Sequence, residues 1–231
     1  MEFLTQTQRK LKKLWKFGRA AMSDWIKDTL YDNGVMKNKQ NIKNQQKLED
    51  LEYLQSSRRA FVFLSSKPKI SDIRDLKKIH KIMFGKLYDW AGKYRPGNFQ
   101  KNGYEFFDHS RFGYAEKNIN GIIHGQPKQA GLAATDYAKL LDEINFMHPF
   151  REGNGRSCKV FLLAYAANHG QVIDYPRKNE EMIAAQEDAD VKQISSLIKI
   201  QNLPSRDAAF KLLTKQMKTS KDLNKDEGLE L

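Results

Sequence analysis

Apolar residues recur at three- and four-residue steps through most of the chain, the period of helices that bury one face. From about Asn44 to Leu64 the stripe is Leu48, Leu51, Leu54, Phe61 and Leu64, and Pro68 ends the segment. Ser71 is the expected N-cap of a second helix, with Ile73, Leu76, Ile79, Ile82 and Met83 on one face and a stop near Gly85. Further helices are predicted over about 114–124, 132–147 and 157–169. The last is apolar nearly all round, from Val160 to Ala167, so it belongs in the middle of a bundle, and Gly170 is its stop. Two or three more are read near 178–188, 190–202 and 205–218, the last started by Pro204-Ser205. The polar tail after Lys218 is expected to be loose.

One stretch breaks the helical period. Arg95-Pro96-Gly97-Asn98-Phe99-Gln100-Lys101-Asn102-Gly103-Tyr104-Glu105-Phe106-Phe107 reads as two short strands around an Asn-Gly turn. A lone hairpin is marginal in water, so it should lie on the helical body or wait for a partner. Asp32-Asn33-Gly34 is a turn closing the N-terminal segment, and no internal repeat is found. The fold class is mainly α with a β-hairpin.

Length changes this picture little: 231 residues make one domain with appendages or two small ones. Charge changes it more. Lys and Arg number 40 against 28 Asp and Glu, a net +12 that favours anionic partners: nucleotides, nucleic acid, an acidic protein or a lipid surface. Residues 1–21 hold six positive charges (Arg9, Lys10, Lys12, Lys13, Lys16, Arg19) against Glu2. They read as a solvated basic arm, with contact to nucleic acid or a membrane as the sharper alternative. A single cysteine, Cys158, excludes an internal disulfide framework and a multi-cysteine zinc site, and suits a reducing cytoplasm. No apolar run is long enough to span a bilayer, and the basic residues interrupt any secretory h-region.

The densest polar cluster lies between the two most apolar helices: His148-Pro149-Phe150-Arg151-Glu152-Gly153-Asn154-Gly155-Arg156-Ser157-Cys158-Lys159. Gly153 and Gly155 let the backbone turn tightly and turn amide N–H groups toward a ligand. The loop runs into the N-terminus of the buried helix, where free N–H groups and the positive end of the dipole favour anions. Arg156 offers a planar fork to phosphate oxygens, and Lys159 adds a point charge one helical turn on. Glu152, an acid in a phosphate-friendly nest, suits a cation such as Mg²⁺ bridging phosphates. His148 titrates near neutrality and can accept a hydroxyl proton. Taken singly these are a helix-end histidine, a turn, surface charges and a dipole partner; together they describe a phosphate-transfer site.

The segment closely resembles the signature of the Fic (Fido) family, His-x-Phe-x-[Asp/Glu]-Gly-Asn-Gly-Arg-x-x-Arg. His148, Phe150, Glu152, Gly153, Asn154, Gly155 and Arg156 match, and Lys159 stands where the family has a second arginine. Two weaker matches precede it in the expected order: Met36-Lys37-Asn38-Lys39 is similar to the family's Leu-Lys-Asn-Lys, and Tyr88-Asp89-Trp90-Ala91-Gly92 to its aromatic Trp-Ala-Gly segment. The hairpin of 98–107 falls where the family carries a target-docking flap. The resemblance divides the chain into a basic arm (1–30), a Fic domain (31–203) and a C-terminal helix with polar tail (204–231).

The resemblance implies a protein adenylyltransferase, moving AMP from ATP to a Ser, Thr or Tyr hydroxyl of a target protein with release of pyrophosphate. By analogy His148 is the base, Glu152 holds Mg²⁺, and Asn154 with the Gly153 and Gly155 amides steadies the α-phosphate. Arg156 and Lys159 would hold the outer phosphates, and Asn102, Gly103 and Tyr104 would clamp nucleotide and target, the target strand pairing with the hairpin edge. Lys159 keeps the charge without the bidentate fork, predicting weakened but retained activity. The family's inhibitory [Ser/Thr]-x-x-x-Glu-[Gly/Asn] helix has no match here, since Glu227-Gly228 follows Leu223. The chain therefore resembles the toxin half of a toxin–antitoxin pair with a separate small antitoxin, or an unregulated member. Transfer of UMP, phosphocholine or phosphate, a nucleotide-binding pseudoenzyme and a basic nucleic-acid-binding helical protein are the alternatives.

Overall fold

The computed structural model describes residues 24–101, 103–127, 131–177 and 179–226; the basic stretch 1–21 and Asn102 lie outside them. Helix α1 (Asp24–Asp28) leads to the Asp32-Asn33-Gly34 turn, in which the Gly34 N–H donates to the Tyr31 carbonyl at 2.9 Å and Leu30 bridges to Met36. Helix α2 (Gln45–Ser65) is capped by Asn44, whose Oδ1 accepts from the Lys47 N–H at 2.9 Å. Its buried face is Leu48, Glu52, Ser56, Ala60 and Leu64, a four-residue step, while Leu54 is 50% exposed. The expected stripe is corrected here: at about 100° per residue, Leu54 has come well round from the face of Leu48, and an acid takes its place inside.

Helix α3 (Arg74–Phe84) is not capped by Ser71. Asp72 Oδ1 accepts from the Arg74 N–H at 2.7 Å, and Asp75 Oδ2 accepts from the Ser71 N–H at 2.8 Å. Of its expected stripe Ile82 is exposed, and His80 and Phe84 are buried instead. The hairpin follows as β1 (Gln100–Lys101) and β2 (Tyr104–Glu105), two residues each, lengthened by the Phe106 N–H on the Phe99 carbonyl at 3.1 Å. A 3-10 turn (His109–Arg111) leads into α4 (Phe112–Gly125), and α5 (Ala134–Met147) and α6 (Asn154–Asn168) follow. Helix α6 starts three residues earlier than the sequence pattern suggests, because Gly153 at φ +78° takes the turn.

The end of the chain differs most from expectation. Strand β3 (Gln171–Asp174), α7 (Glu180–Glu187), α8 (Val191–Ser196), β4 (Lys199–Asn202) and α9 (Arg206–Asp226) complete the order. The helix read over 190–202 stops at Ser196, and β4 pairs antiparallel with β3, Gln171 opposite Asn202 and Asp174 opposite Lys199. That pairing is non-local, so helical periodicity over the segment alone could not reveal it. The backbone also stays helical past Lys218 to Asp226, where a loose tail is expected from composition.

Helix α6 is the centre, buried at every residue from Val160 to Ala167 and packed by α2, α3, α5, α9 and β3. Burial on all sides is the arrangement its unbroken apolar run requires. Its N-terminal end emerges at the loop after His148, beneath the hairpin, and its C-terminal end meets β3. Gly170 at φ +70° makes that second corner.

Candidate active site

His148 caps the C-terminal end of α5 in the left-handed conformation, φ +42° and ψ +60°, with its side chain toward the hairpin. Its ring stacks on Phe106 at 3.7 Å and lies parallel to Phe99 at 5.6 Å. Nδ1 is buried without a hydrogen-bond partner among the described residues. Burial, followed by the Arg95 charge, lowers the His148 pKa to about 3, with the Asn145 carbonyl pulling the other way. The imidazole is therefore neutral and able to accept a proton, but covered by the hairpin's rings.

Arg95 ties that hairpin to the loop. Its Nε donates to the His148 carbonyl at 2.9 Å, Nη1 to the Gly97 carbonyl at 2.5 Å, and Nη2 to the Phe107 carbonyl. The Arg95 N–H itself donates to the Pro149 carbonyl at 2.8 Å. Gly103 makes the turn at φ +77°, and Tyr104, opposite Lys101, sets its ring edge-on to Phe106 at 5.2 Å.

The loop from Phe150 to Arg156 is held from below. Asn154 is buried, its Oδ1 accepting from the Phe150 N–H and its Nδ2 donating to the Phe150 carbonyl, both at 2.8 Å. Its side-chain amide thus closes the loop. Ser157 Oγ donates to the Gly153 carbonyl at 2.8 Å. A β-carbon at Gly153 would stand 2.6 Å from the Phe84 ring, so both conformation and space require glycine there. Glu152 Oε1 accepts from the Gly153 N–H at 2.9 Å and lies 3.7 Å from Arg156 Nη2.

His80 is one of the residues that reading the sequence missed. It is buried on α3, stacked on Phe150 at 3.8 Å between Phe84 and Trp90. The Gly92 N–H donates to its Nδ1 at 2.8 Å, which assigns the proton to Nε2, and that atom donates to the Glu152 carbonyl at 2.9 Å. Burial lowers its pKa to about 4, so it remains a neutral positioning group. A histidine on the apolar stripe of α3 beside Ile79 was the available signal. The two weaker motif segments also meet: Lys39 Nζ pairs with Asp89 Oδ1 at 3.2 Å, and Asn38 folds its own loop.

Cations gather at the start of α6, but not as the spacing suggests. Arg156 donates from Nη2 to Glu52, the acid buried on α2, and its guanidinium lies over the Phe84 ring at 4.8 Å. The Tyr88 hydroxyl donates to the other Glu52 oxygen. Lys159 turns away from the loop, and its Nζ donates to Asp174 Oδ1 at 3.2 Å and to the Tyr175 carbonyl at 2.8 Å. Arg177, from the β3–α7 loop, stands instead over Gly155. Gly155 has no positive φ, and a β-carbon there would meet Arg177 Cδ only at 3.7 Å, an ordinary contact. Neither backbone nor packing demands this glycine. Helix α6 has no side-chain N-cap bond, so its first-turn amides remain available.

The described residues hold no group of three or more His, Cys, Asp or Glu side chains placed for a metal. Glu152, with its side chain 47% exposed, is a lone carboxylate at the mouth. That donor set fits Mg²⁺ arriving with a phosphate chain, not a resident ion in a protein cage. No helix among the described residues is long and apolar enough to cross a membrane.

A helical bundle that delivers a glycine-bounded helix N-terminus to a hairpin-covered histidine defines the class, and the comparisons give it a family. The Fic/DOC family profile matches residues 70–166. The protein adenylyltransferase VbhT of Bartonella schoenbuchensis is 33% identical over 163 residues, 67% of this chain and 34% of that one. Sinorhizobium fredii y4lH, named a probable protein adenylyltransferase, is 32% identical over 61% of this chain and 74% of its own. This chain thus spans about a third of VbhT and most of y4lH. The N-terminal Fic domain of a Bartonella quintana VirB-translocated Bep effector, solved with bound ADP, superposes with a TM-score of 0.67 at 23% identity, over 78% of this chain and 97% of that one. BepC of Bartonella tribocorum, solved with AMPPNP, gives 0.64 at 19% identity, over 78% and 100%. These two likenesses are of fold. The chain belongs to the Fic/DOC family.

Proposed function

We propose that this chain is a protein adenylyltransferase, transferring AMP from ATP to a hydroxyl of a target protein. The observation that carries the reading is the joint placement of His148 and the uncapped, glycine-opened start of α6 in one loop, in a chain sharing about a third of its aligned residues with VbhT, named a protein adenylyltransferase. The hydroxyl oxygen attacks the α-phosphorus, the bond to the β-phosphate oxygen breaks, and pyrophosphate leaves. His148 takes the hydroxyl proton. The N–H groups at the start of α6 face the phosphate chain, and their fixed orientation stabilises charge at no cost in reorganisation. Asn154, Ser157 and His80 hold that loop in register. Mg²⁺, held by Glu152 and the phosphates, would supply charge neutralisation.

His148 works as a base only once the rings of Phe99 and Phe106 part from it, since burial holds it a weak base. A target segment lying along the hairpin 98–107 would pair with its strand edge. The reading calls for an ATP-rich compartment such as the cytoplasm. No [Ser/Thr]-x-x-x-Glu-[Gly/Asn] pattern occurs in the sequence given, and a separate small antitoxin and an unregulated enzyme stay as the two readings of its control.

The test is incubation with α-³²P-labelled ATP, Mg²⁺ and cell lysate, wild type beside His148→Ala. A labelled protein band from the wild type, reduced at least about 100-fold in the variant, is expected. Equal labelling by both, or no labelling while the wild type binds nucleotide, would overturn the reading.

A further inference from the structure

Three cations surround the first turn of α6, and two are engaged by acids of the protein. Arg156 is bound to buried Glu52, which is itself held by Tyr88. Lys159 is bound to Asp174 and to the Tyr175 carbonyl, with its Nζ 3.7 Å from the centre of the Tyr175 ring. Arg177 has neither a carboxylate partner nor a hydrogen bond among the described residues. Its Nη1 would stand 3.8 Å from a β-carbon at Gly155, so the guanidinium flanks the exposed amides at the residue where side-chain bulk is missing.

Two guanidiniums brought together repel each other, and Glu152, 3.7 Å from Arg156, offsets only part of that at Arg177. Arg156 does lower the pKa of Arg177, in second place after burial. Arg177, without a carboxylate of its own among the described residues, has its charge available to a polyanion beside the first turn of α6. Lys159 enters differently. By gripping Asp174 and Tyr175 at the end of β3, it holds the loop that presents Arg177 two residues later.

We propose that Arg177 is the second guanidinium of the nucleotide site, binding the outer phosphates of a nucleoside triphosphate, and that Lys159 is a positioning residue for the loop that carries it. This rests on the adenylyltransferase reading and deepens it: the phosphate-binding charge comes from the β3–α7 loop and not from the next turn of α6. Arg177 has the planar fork that lysine lacks.

The experiment is calorimetric binding of ATP and of AMP, each with Mg²⁺, to the full chain. The variants are Arg177→Ala, Lys159→Ala and the double variant, with Lys211→Ala on α9 as a control for net charge. Arg177→Ala is expected to weaken ATP about tenfold or more, the scale of a lost hydrogen bond to a charged group, while AMP changes less than about twofold. Lys159→Ala should weaken ATP as well, and the double variant should be no worse than Arg177→Ala alone, because one side chain acts through the other. Unchanged ATP affinity in Arg177→Ala, or an equal loss of AMP, would overturn the assignment of Arg177. Additive losses would overturn the positioning role of Lys159. If the wild type binds no ATP, the adenylyltransferase reading fails separately. The anion subsite is then decided with inorganic pyrophosphate: binding lost in Arg177→Ala supports it, and no binding overturns it.

Discussion

The loop 148–156 and the hairpin 98–107 sit face to face but are built oppositely. The loop is rooted in the core: Phe150 is fully buried, Asn154 closes the backbone on itself, and His80 and Ser157 hold successive carbonyls. The hairpin has two-residue strands and exposed outer positions, and it rests on the body through Arg95 and two phenylalanine rings. On the proposed reading, the groups that would meet the phosphorus atom are placed where packing over-determines them. The hairpin, which on the proposed reading would receive a target's backbone, is placed where displacement is cheap.

The largest break in this contrast is expected from Gly153→Ala. It forces φ +78° on a residue with a β-carbon and drives that carbon into Phe84, costing roughly 2–5 kcal/mol in thermal or denaturant unfolding. A loss below about 0.5 kcal/mol would show the loop to be far softer than described.

Next comes His80→Gln, which should cost roughly 1–3 kcal/mol at pH 7 through lost hydrogen bonds. Its sharper signature is pH dependence. His80 and His148 are held neutral, at about 4 and about 3 against 6.5 in the open chain. Below pH 6.5 the unfolded chain takes up protons that the folded one refuses, so stability is complete above 6.5 and is lost as pH falls toward 4. For His80 alone this is on the order of 3 kcal/mol. Melting temperature should therefore fall between pH 7 and 4.5 more steeply in the wild type than in His80→Gln. Parallel curves would remove His80 from the account.

Phe106→Ala tests the other side. It should cost only about 1–2 kcal/mol, the burial of one ring at the rim. It should also raise the His148 pKa from about 3 toward 6.5, read by NMR titration of the imidazole. An unmoved pKa would show that the hairpin does not cover the base. The smallest effect belongs to Lys101→Ala on β1, exposed and within electrostatic range of His148. Stability should change by less than about 0.5 kcal/mol. The pattern of labelled targets should change if the hairpin edge receives them, and an unaltered pattern would move target docking elsewhere.

Much of the scaffold was legible before any coordinates. The all-round apolar run of α6 could only be a central helix, and the polar segment before it could only be a turn with a purpose. The hairpin announced itself by an Asn-Gly pair between short strand-like runs. What stayed hidden shares one cause. Glu52, His80 and Arg177 act on the loop from residues 104, 72 and 22 positions away from their partners, Arg156, Glu152 and Gly155. Periodicity and spacing report neighbours along the chain and nothing about such meetings.

Lys159 shows the boundary. Its spacing from Arg156 put it on the same helical face, as it must on a straight helix. A flexible four-carbon stem then chose the nearest acceptors, and Asp174 was brought there by the strand pairing of β3 with β4. By itself the sequence determined most of the helices, the central place of α6, and the loop of glycine, histidine and acid at its start. Tertiary structure alone decided which cations remain open to a ligand, because side-chain charge is settled by whichever partners folding brings within hydrogen-bond reach.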